Sequence, residues 1–124
     1  MADRKKILLV DDTDAFLIIL NNILKNDYET LIAKDGEDGL ETAEFTKPDL
    51  ILLDVMMPDM SGYEVMAALQ ENDELKNIPV ILISGKDSAD DEAKGLALGA
   101  VDYIKKPFEK EEVLEKVQKV LGAM

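Results

Sequence analysis

The sequence predicts an α/β domain, a doubly wound five-stranded parallel sheet in the order 2-1-3-4-5 flanked by five helices. Five short apolar runs, at 7–10, 30–33, 50–53, 80–83 and 101–104, supply the strands. At least three are continuous Ile/Leu/Val stretches without polar alternation, the pattern of strands covered on both faces. Longer amphipathic segments separate them. Strict β/α alternation implies right-handed crossovers and a parallel sheet, for which 2-1-3-4-5 is a common five-strand order.

The first helix is expected over 14–26, with Leu17, Leu20 and Leu24 at helical spacing and Thr13 or Asp14 as its cap. The second follows the Asp35-Gly36 turn and stops before Lys47-Pro48. The third starts near Ser61, where Ser61-Gly62-Tyr63-Glu64 has the form of a capping box, and fades at Asn72. The fourth spans about 89–98 and ends at Gly99, a fitting C′ glycine. The last spans 109–121, with Val113, Val117, Val120 and Leu121 on one face. No repeat, linker or low-complexity stretch interrupts the series. Residues 1–124 are therefore expected to form a single domain with one core and no separate output module.

Lys+Arg 14 against Asp+Glu 27 gives 14 − 27 = −13, a field that repels nucleic acid and anionic membrane and favours cations and basic protein surfaces. No cysteine is present, which excludes disulfides and thiolate metal sites. The absence of histidine removes the usual general base, the usual zinc ligand and any phosphohistidine on this chain. The N-terminal apolar run is too short for a signal sequence or a membrane span, so a cytoplasmic location is expected.

Doubly wound sheets bind ligands beyond the carboxyl ends of their strands. There the sequence places Asp11-Asp12, Asp54, Ser84 and Lys105-Lys106-Pro107, whereas Lys34-Asp35-Gly36 reads as an ordinary turn. Converging carboxylates repel one another unless a cation is present, and Mg²⁺ accepts one or two carboxylates while keeping positions for water and phosphate. Helix capping accounts for one of Asp11 and Asp12, but Asp54 is followed by Val55-Met56-Met57-Pro58 and caps nothing at once. Placed centrally, Asp54 can serve as a metal ligand, a base or a nucleophile that forms an acyl phosphate. Lys106 is the cation available to balance a transferring phosphoryl group; taken alone it reads as a solvated surface lysine.

The set Asp11-Asp12, Asp54 within Leu52-Leu53-Asp54-Val55-Met56-Met57-Pro58-Asp59-Met60-Ser61-Gly62, Ser84, and Lys106-Pro107-Phe108 resembles the receiver domain of bacterial two-component response regulators. The resemblance runs from about Lys6 to Leu121 and implies a flavodoxin-like fold. It implies that Asp54 is the phosphoacceptor for a phosphohistidine on a sensor histidine kinase or histidine phosphotransfer protein. Asp11, Asp12 and Asp54, with the Met56 backbone carbonyl, would hold Mg²⁺. Ser84 and Lys106 would contact the phosphoryl oxygens, Ser84 and Tyr103 would form the switch, and the Lys106–Pro107 peptide would be cis. Lys86 and Met56 occupy positions that tune hydrolysis of the acyl phosphate. The resemblance places output on the face of the fourth helix, fifth strand and fifth helix, toward a downstream protein, from a monomer or a phosphorylation-dependent dimer. On this reading the protein is a signalling switch rather than a turnover enzyme.

Other readings fit less of the chain. Asp12-Thr13-Asp14 gives the Asp-x-Asp of a haloacid-dehalogenase-like phosphatase, but Phe16 stands where that family has Thr or Val, and no later Gly-Asp-x-x-x-Asp follows. A phosphate-binding P-loop is absent: Val80 replaces its first glycine and Asp87 its Ser/Thr. A pseudo-receiver that binds a partner without phosphorylation would not need every active-site position filled.

Overall fold

The structure, a computed structural model, describes residues 4–85 and 89–122, without the side chains of residues 89–91. Its elements run β1 (Lys6–Val10), α1 (Asp14–Leu24), β2 (Glu29–Ala33), α2 (Gly36–Thr46), β3 (Leu50–Asp54), α3 (Gly62–Gln70), β4 (Val80–Ser84), α4 (Ala89–Ala97), β5 (Asp102–Lys105) and α5 (Lys110–Leu121). The five strands pair in parallel in the order β2-β1-β3-β4-β5, as the sequence predicts.

Alternate strand residues face opposite layers, so uniformly apolar strands build two cores, one on each face of the sheet, where a single core was expected. Ile7, Leu9, Leu52, Ile81, Ile83 and Ile104 pack against α1 and α5 through Leu17, Leu20, Leu24, Val113 and Val117. Leu8, Val10, Ile51, Leu53, Leu82 and Tyr103 pack on the opposite face with Ala43 of α2 and Val65, Met66 and Leu69 of α3. β3 and β4 are buried throughout, whereas the edge strand β2 keeps Glu29 and Ile32 exposed. Among the described residues no helix is long and apolar enough to cross a membrane.

Several ends differ from the sequence expectation. β3 and β4 each continue one residue further, because Asp54 and Ser84 pair in register with Ile83 and Lys105. β5 begins at Asp102 rather than Val101: Val101 donates its N–H to the Val80 carbonyl (2.9 Å), but its side chain stays exposed. The expected side-chain cap of α1 is not made. Thr13 holds the cap position without a side-chain bond, and Asp14 instead pairs with Lys34 at 2.9 Å. Asp35, expected in a plain turn, is itself a cap, accepting from the Asp38 N–H at 2.7 Å.

Two expected caps are present. Ser61 accepts from the Glu64 N–H (3.3 Å) while the Glu64 carboxylate accepts from the Ser61 N–H (3.4 Å), a reciprocal box that satisfies donors at the helix start. Gly99, at φ +112°, ends the fourth helical segment. Its N–H reaches the Leu96 carbonyl and the Ala100 N–H the Gly95 carbonyl, the paired bonds of a Schellman motif, which needs a left-handed residue where a side chain is disfavoured.

Candidate functional site

Sheet register brings the acidic residues together. Val10 lies opposite Leu53, so Asp11, one residue beyond β1, stands beside Asp54, the last residue of β3. Asp11 and Asp54 are buried at 1% and 3% exposure, while Asp12 is exposed. Buried carboxylates this exceptional need partners. Asp11 Oδ1 accepts from the Thr13 N–H at 2.9 Å, which turns the loop after β1 back upon itself.

The positive partner arrives from the far side of the sheet. The Lys106 N–H donates to the Ser84 carbonyl (2.8 Å), fixing the segment after β5 to the end of β4. The Lys106–Pro107 peptide is cis, as expected. From there Lys106 Nζ reaches Asp11 Oδ2 at 3.0 Å and Asp54 Oδ1 at 3.2 Å. The contact to Asp11 Oδ2 is one of charge: that buried oxygen accepts no hydrogen bond. One ammonium pairs with two of the three carboxylates, so among the described residues the fully ionised cluster carries 1 − 3 = −2.

That excess has a measurable consequence. Burial, and after it the negative charge of Asp11, push the Asp54 carboxyl up to about 6 against the opposing pull of Lys106. A raised acid pKa means that folding favours the protonated form. In metal-free protein, the contribution from Asp54 is full below about pH 4 and is lost as pH rises toward 6. Asp54→Asn, which carries no charge to desolvate, should match wild type in urea unfolding with chelator at pH 4. At pH 7 it should be more stable, by up to about 3 kcal/mol. Equal stabilities at both pH values would contradict an ionisation strained by burial.

The geometry also suits a cation. Oxygens from Asp11, Asp12 and Asp54 lie within 4.8 Å of one another. Ligands at about 2.1 Å on opposite sides of one ion stand roughly 4 Å apart, so the three carboxylates need only a small inward rotation to share it. The hard oxygen donors and the buried Asp11 Oδ2, which accepts no hydrogen bond, fit Mg²⁺ in charge and chemistry.

The other sequence candidates fall around this cluster. Ser84 is fully buried at the end of β4, one strand beyond Asp54. Tyr103 lies opposite Leu82 and is buried at 4% exposure in the core on the α2–α3 face, so it is not a surface aromatic of the edge strand. The Met56 side chain is exposed. Lys86 lies outside the described residues.

Two neighbours were named in the sequence without a role at this site. Gly62 opens α3 directly against the backbone that carries Asp54: its N–H donates to the Val55 carbonyl at 2.9 Å, and a Cβ there would sit 2.5 Å from the Asp54 carbonyl oxygen. Phe16, in the first turn of α1, lays its ring face 3.9 Å from Lys106 Nζ and leans on Phe108, with centroids 5.9 Å apart. Neither spacing carries a periodic signal: the Phe16 contacts join residues distant in sequence, and the Gly62 contact is made across the loop between β3 and α3.

Comparison with known proteins agrees with this arrangement. Residues 7–118 match the family described as response regulator receiver domain. Over 118 residues the chain is 42% identical to the alkaline phosphatase synthesis transcriptional regulatory protein PhoP of Bacillus subtilis, covering 94% of this chain and 48% of PhoP. The chain thus spans about half the length of that relative. It is 36% identical to protein PilH of Pseudomonas aeruginosa over 118 residues, 94% of this chain and 98% of PilH. A solved receiver domain of a Pseudomonas aeruginosa sensor histidine kinase, with a magnesium ion coordinated in its active site cleft, is similar at TM-score 0.88 and 26% identity. That likeness covers 98% of this chain and all of the other, 100%.

Proposed function

The chain belongs to the response regulator receiver domain family of two-component systems, and from that premise we propose that Asp54 accepts a phosphoryl group from a phosphohistidine on a partner protein. The observation that carries the reading is the convergence of three carboxylates and one ammonium at the ends of β1 and β3 and after β5. An Asp54 oxygen attacks phosphorus, a P–O bond forms, the P–N bond of the partner imidazole breaks, and the imidazole nitrogen takes its electron pair. With no histidine in its sequence, this chain takes the aspartate side of such an exchange.

Asp11, Asp12, Asp54 and the Met56 backbone carbonyl would hold Mg²⁺. When bound, that ion would neutralise charge on the transferring group and lower the pH at which Asp54 ionises. Lys106 would pair with one phosphoryl oxygen, and Ser84 would bond another. Movement of Ser84 toward the phosphate and repacking of Tyr103 would bias the face formed by α4, β5 and α5, a shift between two packings. Storage of a signal rather than turnover is the outcome, with a sensor histidine kinase or phosphotransfer protein upstream, a protein target downstream, and the cytoplasm as the compartment.

Incubation with acetyl phosphate and Mg²⁺ should add one phosphoryl group per chain, removable by mild base as an acyl phosphate is. An unchanged mass would sink the reading. Asp11→Ala and Asp12→Ala should each weaken Mg²⁺ binding by about tenfold or more in calorimetric titration, since each removes one charged ligand. Wild-type affinity in both variants would contradict the metal assignment.

A further inference from the structure

Lys106 has one neighbour that neither the family match nor the metal site accounts for. Its ammonium offers three N–H donors on a flexible four-carbon stem. Asp11 and Asp54 lie on one side of it, at 3.0 and 3.2 Å. The face of Phe16 lies 3.9 Å away. Phe16 is itself fixed twice: its backbone N–H donates to the Thr13 carbonyl (3.1 Å), in the loop that Asp11 also holds, and its ring rests on Phe108, two residues beyond Lys106. The Lys106 side chain is only 12% exposed.

We propose that Phe16 is a positioning residue for Lys106, its ring face replacing water on one side of the ammonium and keeping Nζ aimed at the oxygens of a phosphoryl group on Asp54. An aromatic face attracts a cation through its quadrupole, most strongly where water is excluded, whereas an aliphatic side chain of similar size only fills space. A less hydrated ammonium, held before the phosphoryl group arrives, needs no reorganisation during transfer. The inference rests on the phosphoacceptor reading above for its consequence, but its geometry can be checked without any phosphorylation.

The test uses the full chain, wild type and the variants Phe16→Leu and Phe16→Trp, matched first in thermal melting. In Mg²⁺-free wild type the Lys106 ε-methylene resonances should lie upfield, from the ring current of Phe16. They should return to ordinary values in Phe16→Leu and stay upfield in Phe16→Trp. With saturating Mg²⁺ and acetyl phosphate, Phe16→Leu should label Asp54 about tenfold more slowly, while Phe16→Trp stays within about threefold of wild type. Mg²⁺ affinity should be unchanged in both variants. Ordinary ε-methylene shifts in wild type overturn the positioning role, even if Phe16→Leu fails to fold. So do a wild-type labelling rate in Phe16→Leu and equal slowing in both variants. A wild-type chain with upfield shifts that takes no label overturns instead the phosphoacceptor reading, and with it the role of Phe16 in transfer.

Discussion

Asp54→Asn is expected to take labelling by acetyl phosphate from about one phosphoryl group per chain to none. The carboxylamide is isosteric, so it keeps the shape of the site and leaves Lys106 paired with Asp11 at 3.0 Å. What it loses is the anionic oxygen that would attack phosphorus in the proposed transfer. Unfolding cannot account for the loss, because the buried carboxylate that ionises only near 6 is a cost to the folded state at neutral pH, and the amide removes it. Intact mass measured before and after incubation decides the matter. A gain that survives the substitution would move the acceptor elsewhere, with buried Ser84 as the first position to examine.

Gly62→Ala is expected to be the most damaging single-methyl change near the site. The added Cβ would lie 2.5 Å from the Asp54 carbonyl oxygen, 2.8 Å from Val55 Cα and 3.1 Å from the Asp54 carbonyl carbon. All three are backbone atoms, and no rotamer change can relieve the overlap. Either α3 lifts, breaking the 2.9 Å bond from the Gly62 N–H to the Val55 carbonyl, or the end of β3 shifts and carries Asp54 with it. Overpacking of this kind costs about 2–3 kcal/mol, or roughly 10 °C in Tm for a domain of this size. Phosphoryl labelling should slow as well, since displacement of a reacting group by about 1 Å lowers rates on the order of a hundredfold. A variant that melts with wild type would show that the approach of α3 to β3 is slack. Gly85 provides the control, for a Cβ there meets no atom within 4 Å.

The fold was legible because its evidence is local. Runs such as Leu50 to Leu53 and Val80 to Ile83 are uniformly apolar since both faces of the sheet are covered, and that covering is visible in each segment alone. Asp11, Asp54, Ser84 and Lys106 stood out for a related reason: each interrupts or ends an apolar run at the edge where doubly wound sheets bind ligands. The missing parts depend on contacts across the chain. Asp14 falls one residue past the cap position held by Thr13 and pairs with Lys34, so a good capping residue does not cap. Gly62 could be seen following Ser61 in a capping box, but its closeness to Asp54 depends on the angle at which α3 returns over β3. Phe16 looked like a mismatch to another motif, and its pairing with Lys106 spans most of the chain. Asp59 takes a left-handed φ of 68° that no neighbouring residue announces.

The strand order also bears on how the site comes apart. Its carboxylates hang from β1 and β3, interior strands paired on both sides, whereas its lysine follows β5, an edge strand of four residues. Local opening begins where a segment has fewest partners, and an edge strand paired on one side only opens at lower free energy than the centre of a sheet. Fraying of β5 and α5 would withdraw the ammonium while the anionic half stayed folded. The chain would then hold its cation-binding half intact with no charge to balance it. Amide protection in β5 therefore reports on more than the health of the fold: it measures what fraction of molecules holds the carboxylates and the ammonium together at any instant.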